Sequence, residues 1–196
     1  NLLLKEMVEK KIEYVFMEMS SHGLKLGRTS GIEVQAVAFT NLTQDHMDFH
    51  HDMEDYLLSK FKIFQLLEQS TQTNKFGIVA SDVIGGKQMI EKLKEANFTS
   101  PIYILGNSGE FNYSHAKLAI TSSEFRLHKK EKNLPFIEVR SAKTNLLGNF
   151  NIFNVSLAAF ISLELGFNWD EIINTIEKVP EGAVGFIYEM QAIVDG

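Results

Sequence analysis

The spacing of apolar and polar residues differs between parts of this chain. Apolar residues at helical spacing predict helices at residues 2–11, 53–69, 87–96, 152–165 and 169–178. Short runs rich in β-branched and aromatic residues predict strands at residues 13–19, 34–40, 76–80, 102–105, 118–121 and 136–139. Because strands alternate with helices, we expect an α/β fold with a mainly parallel open sheet flanked by helices. The short strands between residues 101 and 141 lack a long helix and predict a small mixed or antiparallel extension.

Composition narrows the class of protein. The chain has 196 residues, of which 44% are hydrophobic and 22% are charged, and this fits one domain with a single core. No apolar run predicts a membrane span or a secretory signal, so we expect a cytoplasmic protein without a membrane partner. A formal net charge of -6 and scattered basic residues argue against a nucleic-acid partner. Without cysteine, any metal must be held by oxygen or imidazole.

One glycine-lysine pair, Gly86-Lys87, invites comparison with a phosphate-binding loop. It lacks the earlier glycine at the required spacing and the Ser or Thr that would follow the lysine. An ordinary helix start is the better interpretation.

Residues with candidate functional roles lie at or just after the ends of the first two predicted strands. If these strands are neighbours, Glu18 at the end of one approaches His46 in the loop after the other, at the edge where parallel sheets bind ligands. Glu18 sits in the run YVFMEM, which reads as buried on both faces, so its carboxylate should be neutralised by a cation, a metal or a proton. Alternatively, Glu18 simply reaches water or forms a structural salt bridge.

The segment 41–64, NLTQDHMDFHHDMEDYLLSKFKIF, holds several potential metal ligands. His46 and His50 are four residues apart, and with an aspartate they are compatible with a zinc site. The competing interpretation is that this spacing is accidental and that Asp45 and Asp48 only cap turns.

Lys60 is unusual in this segment because it is a charged residue on the apolar face of a predicted helix. Asp52 is a plausible N-cap for the helix 53–69, and its apolar stripe consists of Met53, Tyr56, Leu57, Phe61, Phe64 and Leu67. Lys60 falls within that stripe, whereas Lys62 falls outside it. Either the Lys60 stem lies along the apolar surface with its head in water, or the head is held at a functional centre, where burial favours a neutral amine that can be covalently modified.

Three motifs resemble those of a known family. The runs MEMSSHGLKLGR, AFTNLTQDHMDFHHDMEDYLLSKFKIF and GNFNIFNVSLAA resemble, in order and spacing, the central domain of the Mur ligases, and most closely those acting on UDP-N-acetylmuramoyl-L-alanyl-D-glutamate. The resemblance implies an ATP-dependent ligase that adds an amino acid to this UDP-muramoyl dipeptide during peptidoglycan synthesis. It also implies an acyl-phosphate intermediate, with ATP as co-substrate and Mg²⁺ as cofactor.

The resemblance assigns a metal-binding role to three residues. Glu18 matches the carboxylate that binds the magnesium ion bridging the ATP phosphates, and His46 matches a histidine at a second magnesium site. Lys60 matches a lysine that reacts with carbon dioxide to form a carbamate near that second site. Magnesium prefers hard oxygen donors, which a carbamate supplies and an amine does not.

The resemblance also assigns binding roles to four other residues. Ser20 and Arg28 match positions that contact the UDP-muramoyl dipeptide, and a guanidinium suits an anionic substrate. Asn151 and Asn154 match an asparagine pair near the nucleotide.

Some features depart from the family pattern. No Gly-Lys-Thr or Gly-Lys-Ser loop is present, Leu26 replaces a residue that is often polar, and Glu189 stands where an arginine is expected. We therefore expect residues 1–196 to form a single partial domain, inactive alone, whose partners include N-terminal and C-terminal domains of the same chain. Three alternatives stay open: a degenerate noncatalytic binding domain, a folylpolyglutamate-synthase-like amide ligase, and a zinc hydrolase using His46 and His50.

Overall fold

A computed structural model describes residues 2–42, 49–130, 137–180 and 190–195. Its helices are α1 (Leu2–Glu9), α2 (Ser21–Lys25), α3 (Met53–Gln69), α4 (Gly86–Glu95), α5 (Asn149–Glu164) and α6 (Trp169–Lys178). Its strands are β1 (Tyr14–Met19), β2 (Ala36–Phe39), β3 (Phe76–Ala80), β4 (Ile102–Leu105), β5 (Phe111–Leu118), β6 (Ser123–Lys130), β7 (Ile137–Thr144) and β8 (Met190–Asp195). The chain divides into two compact units, Asn1–Tyr103 with Tyr188–Gly196, and Ile104–Ile187.

The strands of the first unit lie in the order β1-β8-β2-β3. Strands β2 and β3 are parallel, and β8 is antiparallel to both β1 and β2. The expectation that β1 and β2 are neighbours is therefore wrong, because β8 arrives from the far end of the sequence and separates them. Both strands still point the same way, so their carboxyl ends share one edge of the sheet. Since Glu18 and Ala38 both pair with Gln191, the two strands are roughly 10 Å apart at this level.

The core of the first unit forms where α3 packs on β2 and β3. Every residue of β2 and β3 is buried, as expected for strands covered on both faces. The apolar stripe of α3 supplies fully buried side chains such as Tyr56 and Phe64. At Gly77, a Cβ would lie 2.7 Å from the Ile102 side chain and 2.9 Å from the Phe64 ring. Glycine is therefore needed there for the close approach of helix and strand.

Strand β1 is buried on one face only, which corrects the prediction for Glu18. Val15 and Met19 point into the core, while Phe16 is 63% exposed and Glu18 is also exposed. The apolar run suggested burial on both faces, but the side chains alternate across the strand and those of one face remain at the surface. The Glu18 carboxylate thus lies in contact with solvent, as the alternative interpretation held.

The second unit contains the antiparallel extension that the short strands predicted. Strands β5, β6 and β7 pair antiparallel in sequence order, and Leu105 at the end of β4 pairs parallel with Phe111. The ring of Phe111 stacks on that of Phe160 from α5, with centroids 4.5 Å apart. Trp169 of α6 meets Phe160 edge-on at 6.4 Å, so aromatic side chains join the two helices to the sheet.

The predicted α/β fold is confirmed, but some of its elements differ. Helices α3 and α6 and strands β3 and β4 have the predicted bounds. The predicted strand at 118–121 is wrong, because residues 119–122 form the turn between β5 and β6, closed by a 2.9 Å hydrogen bond from the Ala119 amide to the Ser122 carbonyl. The strand predicted at 136–139 is the start of β7, although residue 136 lies outside the described part.

The Gly86-Lys87 pair begins α4, so the ordinary helix start is confirmed. A Cβ at Gly86 would lie 2.2 Å from the Ala80 carbonyl oxygen, which explains the glycine without a phosphate. Four elements were not predicted: the five-residue helix α2 and the strands β5, β6 and β8. Within the described residues, no helix has the length and apolar character needed to cross a bilayer.

Candidate functional site

Lys60 is completely buried, which decides between the two interpretations of its position. Its Nζ donates a 3.1 Å hydrogen bond to the backbone carbonyl of Asn41 and lies 5.0 Å from the centre of the Tyr56 ring. Asn41 follows β2 by two residues, so the lysine head is held just beyond the carboxyl end of a buried strand. The alternative in which the head reaches water is wrong, because no part of the residue is exposed. Its role as a metal ligand stays a prediction.

Next to Lys60 lies a second buried polar group, His50, which is also in the first unit. The His50 Nε2 is 2.8 Å from the Ser21 hydroxyl, and the imidazole stacks on Tyr56 with ring centroids 4.7 Å apart. Burial lowers the pKa of His50 below its usual value of 6.5, and the neighbouring Asp55 carboxylate opposes this shift only in part. His50 is therefore a neutral imidazole at pH 7.

Asp55 joins this cluster to α2. It accepts a hydrogen bond from the Lys25 ammonium and a 3.1 Å bond from the His51 backbone amide. These contacts, that of Lys25 first, lower the pKa of Asp55 from 3.8 to about 2. Its Oδ2 lies 3.4 Å from the His50 Nδ1, close enough for attraction although the geometry is too poor for a hydrogen bond.

The segment around α2 carries both residues that the resemblance assigns to the UDP-muramoyl dipeptide. Ser20 is the N-cap of α2, and its hydroxyl accepts a 3.1 Å hydrogen bond from the Gly23 amide. Arg28 is exposed, and its backbone amide donates to the Gly23 carbonyl at 2.9 Å. The short helix thus ties these two positions together, with Ser21 of the buried cluster directly after Ser20.

The two other predicted metal ligands are not brought to Lys60 by any described contact. Glu18 lies at the surface near the carboxyl end of β1, and His46 lies outside the described residues. Among the residues that the structure describes, no group of three His, Asp or Glu side chains is arranged to hold a metal ion. His50, the other residue of the zinc interpretation, is occupied by its contact with Ser21.

The asparagine pair lies in the second unit, on the first turns of α5. Asn151 donates a 2.8 Å hydrogen bond to the Leu147 carbonyl. Asn154 is only 5% exposed, and neither polar atom of its amide has a hydrogen-bond partner among the described residues. A buried amide without partners is costly, and a polar group of a ligand would relieve that cost.

Sequence reasoning found Lys60 but missed the group formed by His50, Ser21, Asp55 and Lys25. These side chains come from segments about thirty positions apart, so neither segment shows the cluster locally. The one available signal was a second polar residue, Ser21, between the predicted β1 strand and the apolar Leu24.

An α/β unit with a buried lysine beyond the end of a central strand is consistent with the family suggested by the motifs. The family model of the Mur ligase middle domain matches residues 1–162. The chain therefore belongs to the Mur ligase family, through its middle domain.

Two relatives illustrate the similarity. The UDP-N-acetylmuramoyl-L-alanyl-D-glutamate--2,6-diaminopimelate ligase of Leptospira interrogans is 40% identical over 201 residues, covering 100% of this chain and 38% of that protein. The UDP-N-acetylmuramoyl-L-alanyl-D-glutamate--L-lysine ligase of Staphylococcus epidermidis is 31% identical, covering 90% of this chain and 34% of that protein. The chain thus spans little more than a third of the length of these relatives.

Solved structures agree on the fold. A structure of UDP-N-acetylmuramoyl-L-alanyl-D-glutamate--2,6-diaminopimelate ligase superposes with a TM-score of 0.69 at 23% identity, covering 85% of this chain and 32% of that one. An FPGS-AMPPCP complex gives a TM-score of 0.58 at 13% identity, covering 76% of this chain and 35% of that one. The second likeness supports the folylpolyglutamate-synthase-like alternative only as a related fold.

Proposed function

We propose that this chain is a partial central domain of an ATP-dependent ligase that adds an amino acid to UDP-N-acetylmuramoyl-L-alanyl-D-glutamate in peptidoglycan synthesis. The observation that carries the proposal is Lys60, fully buried and bonded to the Asn41 carbonyl in a chain of this family. The relatives named above include both a 2,6-diaminopimelate ligase and an L-lysine ligase, so the proposal covers either amino acid.

In the proposed reaction, the terminal carboxylate of the dipeptide attacks the γ-phosphorus of ATP, and ADP leaves. The amine of the incoming amino acid then attacks the acyl phosphate, the amine proton is lost, and phosphate leaves as the amide forms. When bound, magnesium would neutralise charge on the phosphoryl oxygens. Ser20 and Arg28 would bind the dipeptide, and Asn151 and Asn154 would contact the nucleotide.

The residues present fit a magnesium-binding role for a carbamylated Lys60. A carbamate keeps one N–H, which can still donate to the Asn41 carbonyl, while its two oxygens become hard anionic ligands suited to magnesium. Tyr56 and the buried helix face hold the stem in place. Glu18 would supply a surface carboxylate at the same sheet edge, and His46 would supply an imidazole.

The first test measures ligation by the full-length gene product that carries this chain. We expect ATP-dependent release of phosphate and a product whose mass equals the dipeptide plus diaminopimelate or lysine. Lys60→Met keeps the volume of the stem and should lower kcat at least about 100-fold, because it removes the amine that forms the carbamate. Lys94→Met, at an exposed position of α4, is the control and should stay within about twofold of the unmodified protein.

A second measurement does not depend on turnover. Protein equilibrated with ¹³C-bicarbonate should show a carbamate carbon signal that is lost in Lys60→Met and kept in Lys94→Met. Active ligation by Lys60→Met would contradict the role of Lys60, and an unmodified protein without any ligation would contradict the proposed function.

A further inference from the structure

His50 is buried at a junction between the two parts of the first unit that carry the proposed chemistry. Its side chain has no exposed surface, and its residue is 3% exposed overall. On one side it meets Ser21, the first residue of α2, which follows the substrate position Ser20. On the other side it stacks on Tyr56, whose ring also lies beneath the Lys60 ammonium at 5.0 Å.

The surroundings of His50 determine which nitrogen carries the proton. The Asp55 carboxylate, 3.4 Å from Nδ1, favours a proton on that nitrogen. Nε2 is then the acceptor of a 2.8 Å hydrogen bond that the Ser21 hydroxyl donates. Asp55 is itself held by Lys25 of α2, so two polar links join α2 to the start of α3.

We propose that His50 is a positioning residue that holds the start of α2, and with it Ser20 and Arg28, in place to bind the muramoyl substrate. This inference rests on the proposed function. The geometry supports it because α2 has only five residues, too few to be stable alone. Its first residue, Ser21, is bonded to His50 just before α3, and its last residue, Lys25, is bonded to Asp55 within α3. Buried polar contacts of this kind specify one arrangement, since breaking them leaves unpaired groups.

The test compares three variants of the full-length gene product. His50→Leu removes the acceptor for Ser21 at similar volume, whereas His50→Gln places an amide oxygen where Nε2 lies. Ser21→Ala removes the other partner of the same bond. His51→Leu is the matched control, because the neighbouring histidine has a side chain that is 92% exposed.

We expect His50→Leu and Ser21→Ala each to weaken binding of UDP-N-acetylmuramoyl-L-alanyl-D-glutamate, measured by calorimetry, about five- to tenfold. The KM for this substrate should rise in parallel, while the KM for ATP should change less than about twofold. The double variant should bind no more weakly than either single variant, because both changes remove one bond. His50→Gln should recover most of the affinity, and His51→Leu should match the unmodified protein.

The outcomes separate this inference from the proposed function. An unmodified protein that fails to bind the dipeptide overturns the proposed function, and the inference with it. If the unmodified protein binds and His50→Leu and Ser21→Ala bind equally well, the inference alone is overturned. Equal loss of dipeptide and ATP affinity, or additive effects in the double variant, would also overturn it. Should His50→Leu fail to fold, Ser21→Ala and His50→Gln still decide.

Discussion

Glu68, near the end of α3, offers a stringent test of the energetics in the first unit. Its carboxylate accepts four hydrogen bonds, from the backbone amide and the hydroxyl of both Thr99 and Ser100. These bonds tie α3 to the loop between α4 and β4. Partial burial alone would raise the pKa of Glu68, but the hydrogen bonds outweigh it and lower the pKa from 4.5 to about 2.

The contribution of Glu68 to stability follows from the linkage between proton binding and folding. A pKa lowered from 4.5 to about 2 corresponds to about 3 kcal/mol at neutral pH, since each unit is worth 1.36 kcal/mol. The carboxylate is partly exposed, and screening by solvent reduces this to about 1–2 kcal/mol. Because the folded pKa is the lower one, the unfolded chain binds the extra proton between pH 4.5 and 2. This contribution is therefore complete above pH 4.5 and is lost as the pH falls towards 2.

Glu68→Gln should lower the free energy of unfolding of the first unit by about 1–2 kcal/mol at pH 7. Urea unfolding followed by far-ultraviolet circular dichroism is suitable, because the single tryptophan, Trp169, lies in the second unit. Glu91→Gln, at an exposed position of α4, is the matched control and should change little. The reasoning is refuted if both variants behave alike at pH 7, or if the deficit of Glu68→Gln is unchanged at pH 3.

Three further predictions concern other contacts. Asn168→Ala should lower the free energy of unfolding, measured in urea by Trp169 fluorescence, by about 1 kcal/mol, because it breaks the capping box with Glu171 at the start of α6. Asn174→Ala on the same helix should not lower it. Phe160→Ala should lower the same free energy of unfolding by about 3–5 kcal/mol, because the ring is fully buried against Phe111 and Trp169. A decrease below about 1 kcal/mol would contradict this prediction. The pKa of His50 falls on folding, so the unfolded state binds the extra proton and the stability should decline as the pH drops below 6.5. His50→Gln should lack that decline, and identical stability profiles of the variant and the unmodified protein against pH would contradict the effect assigned to burial.

Local patterns predicted the elements whose signals are local. Helix α3 was predicted with its bounds because its N-cap, Asp52, and its apolar stripe lie within one continuous segment, and the Asp52 side chain does accept from the Asp55 amide. The same stripe placed Lys60 on the apolar face of the helix, but it left open whether the lysine head reaches water. Strand β3 was predicted because Phe76, Ile78 and Val79 follow one another in a short apolar run, every residue of which is buried.

The features that were missed depend on contacts between distant segments. Strand β8 pairs with β1 and β2, which lie near the other end of the sequence, so no short pattern indicates its place in the sheet. The apolar run of β1 did not reveal that Phe16 and Glu18 face outward. The sequence offered His50 only as a candidate zinc ligand, because Ser21, the partner that accounts for its burial, belongs to another segment.

The place of β8 also has a consequence for the order of events during synthesis. Strand β1 is synthesised well before its neighbour in the sheet, β8, because about 170 residues separate the two strands along the sequence. Until residues 190–195 emerge, the strand that pairs with both β1 and β2 is missing, and their facing edges carry unpaired backbone groups. Such an edge can recruit a strand from another chain, so a nascent or truncated product that ends before β8 should be more prone to aggregate than a product that includes β8.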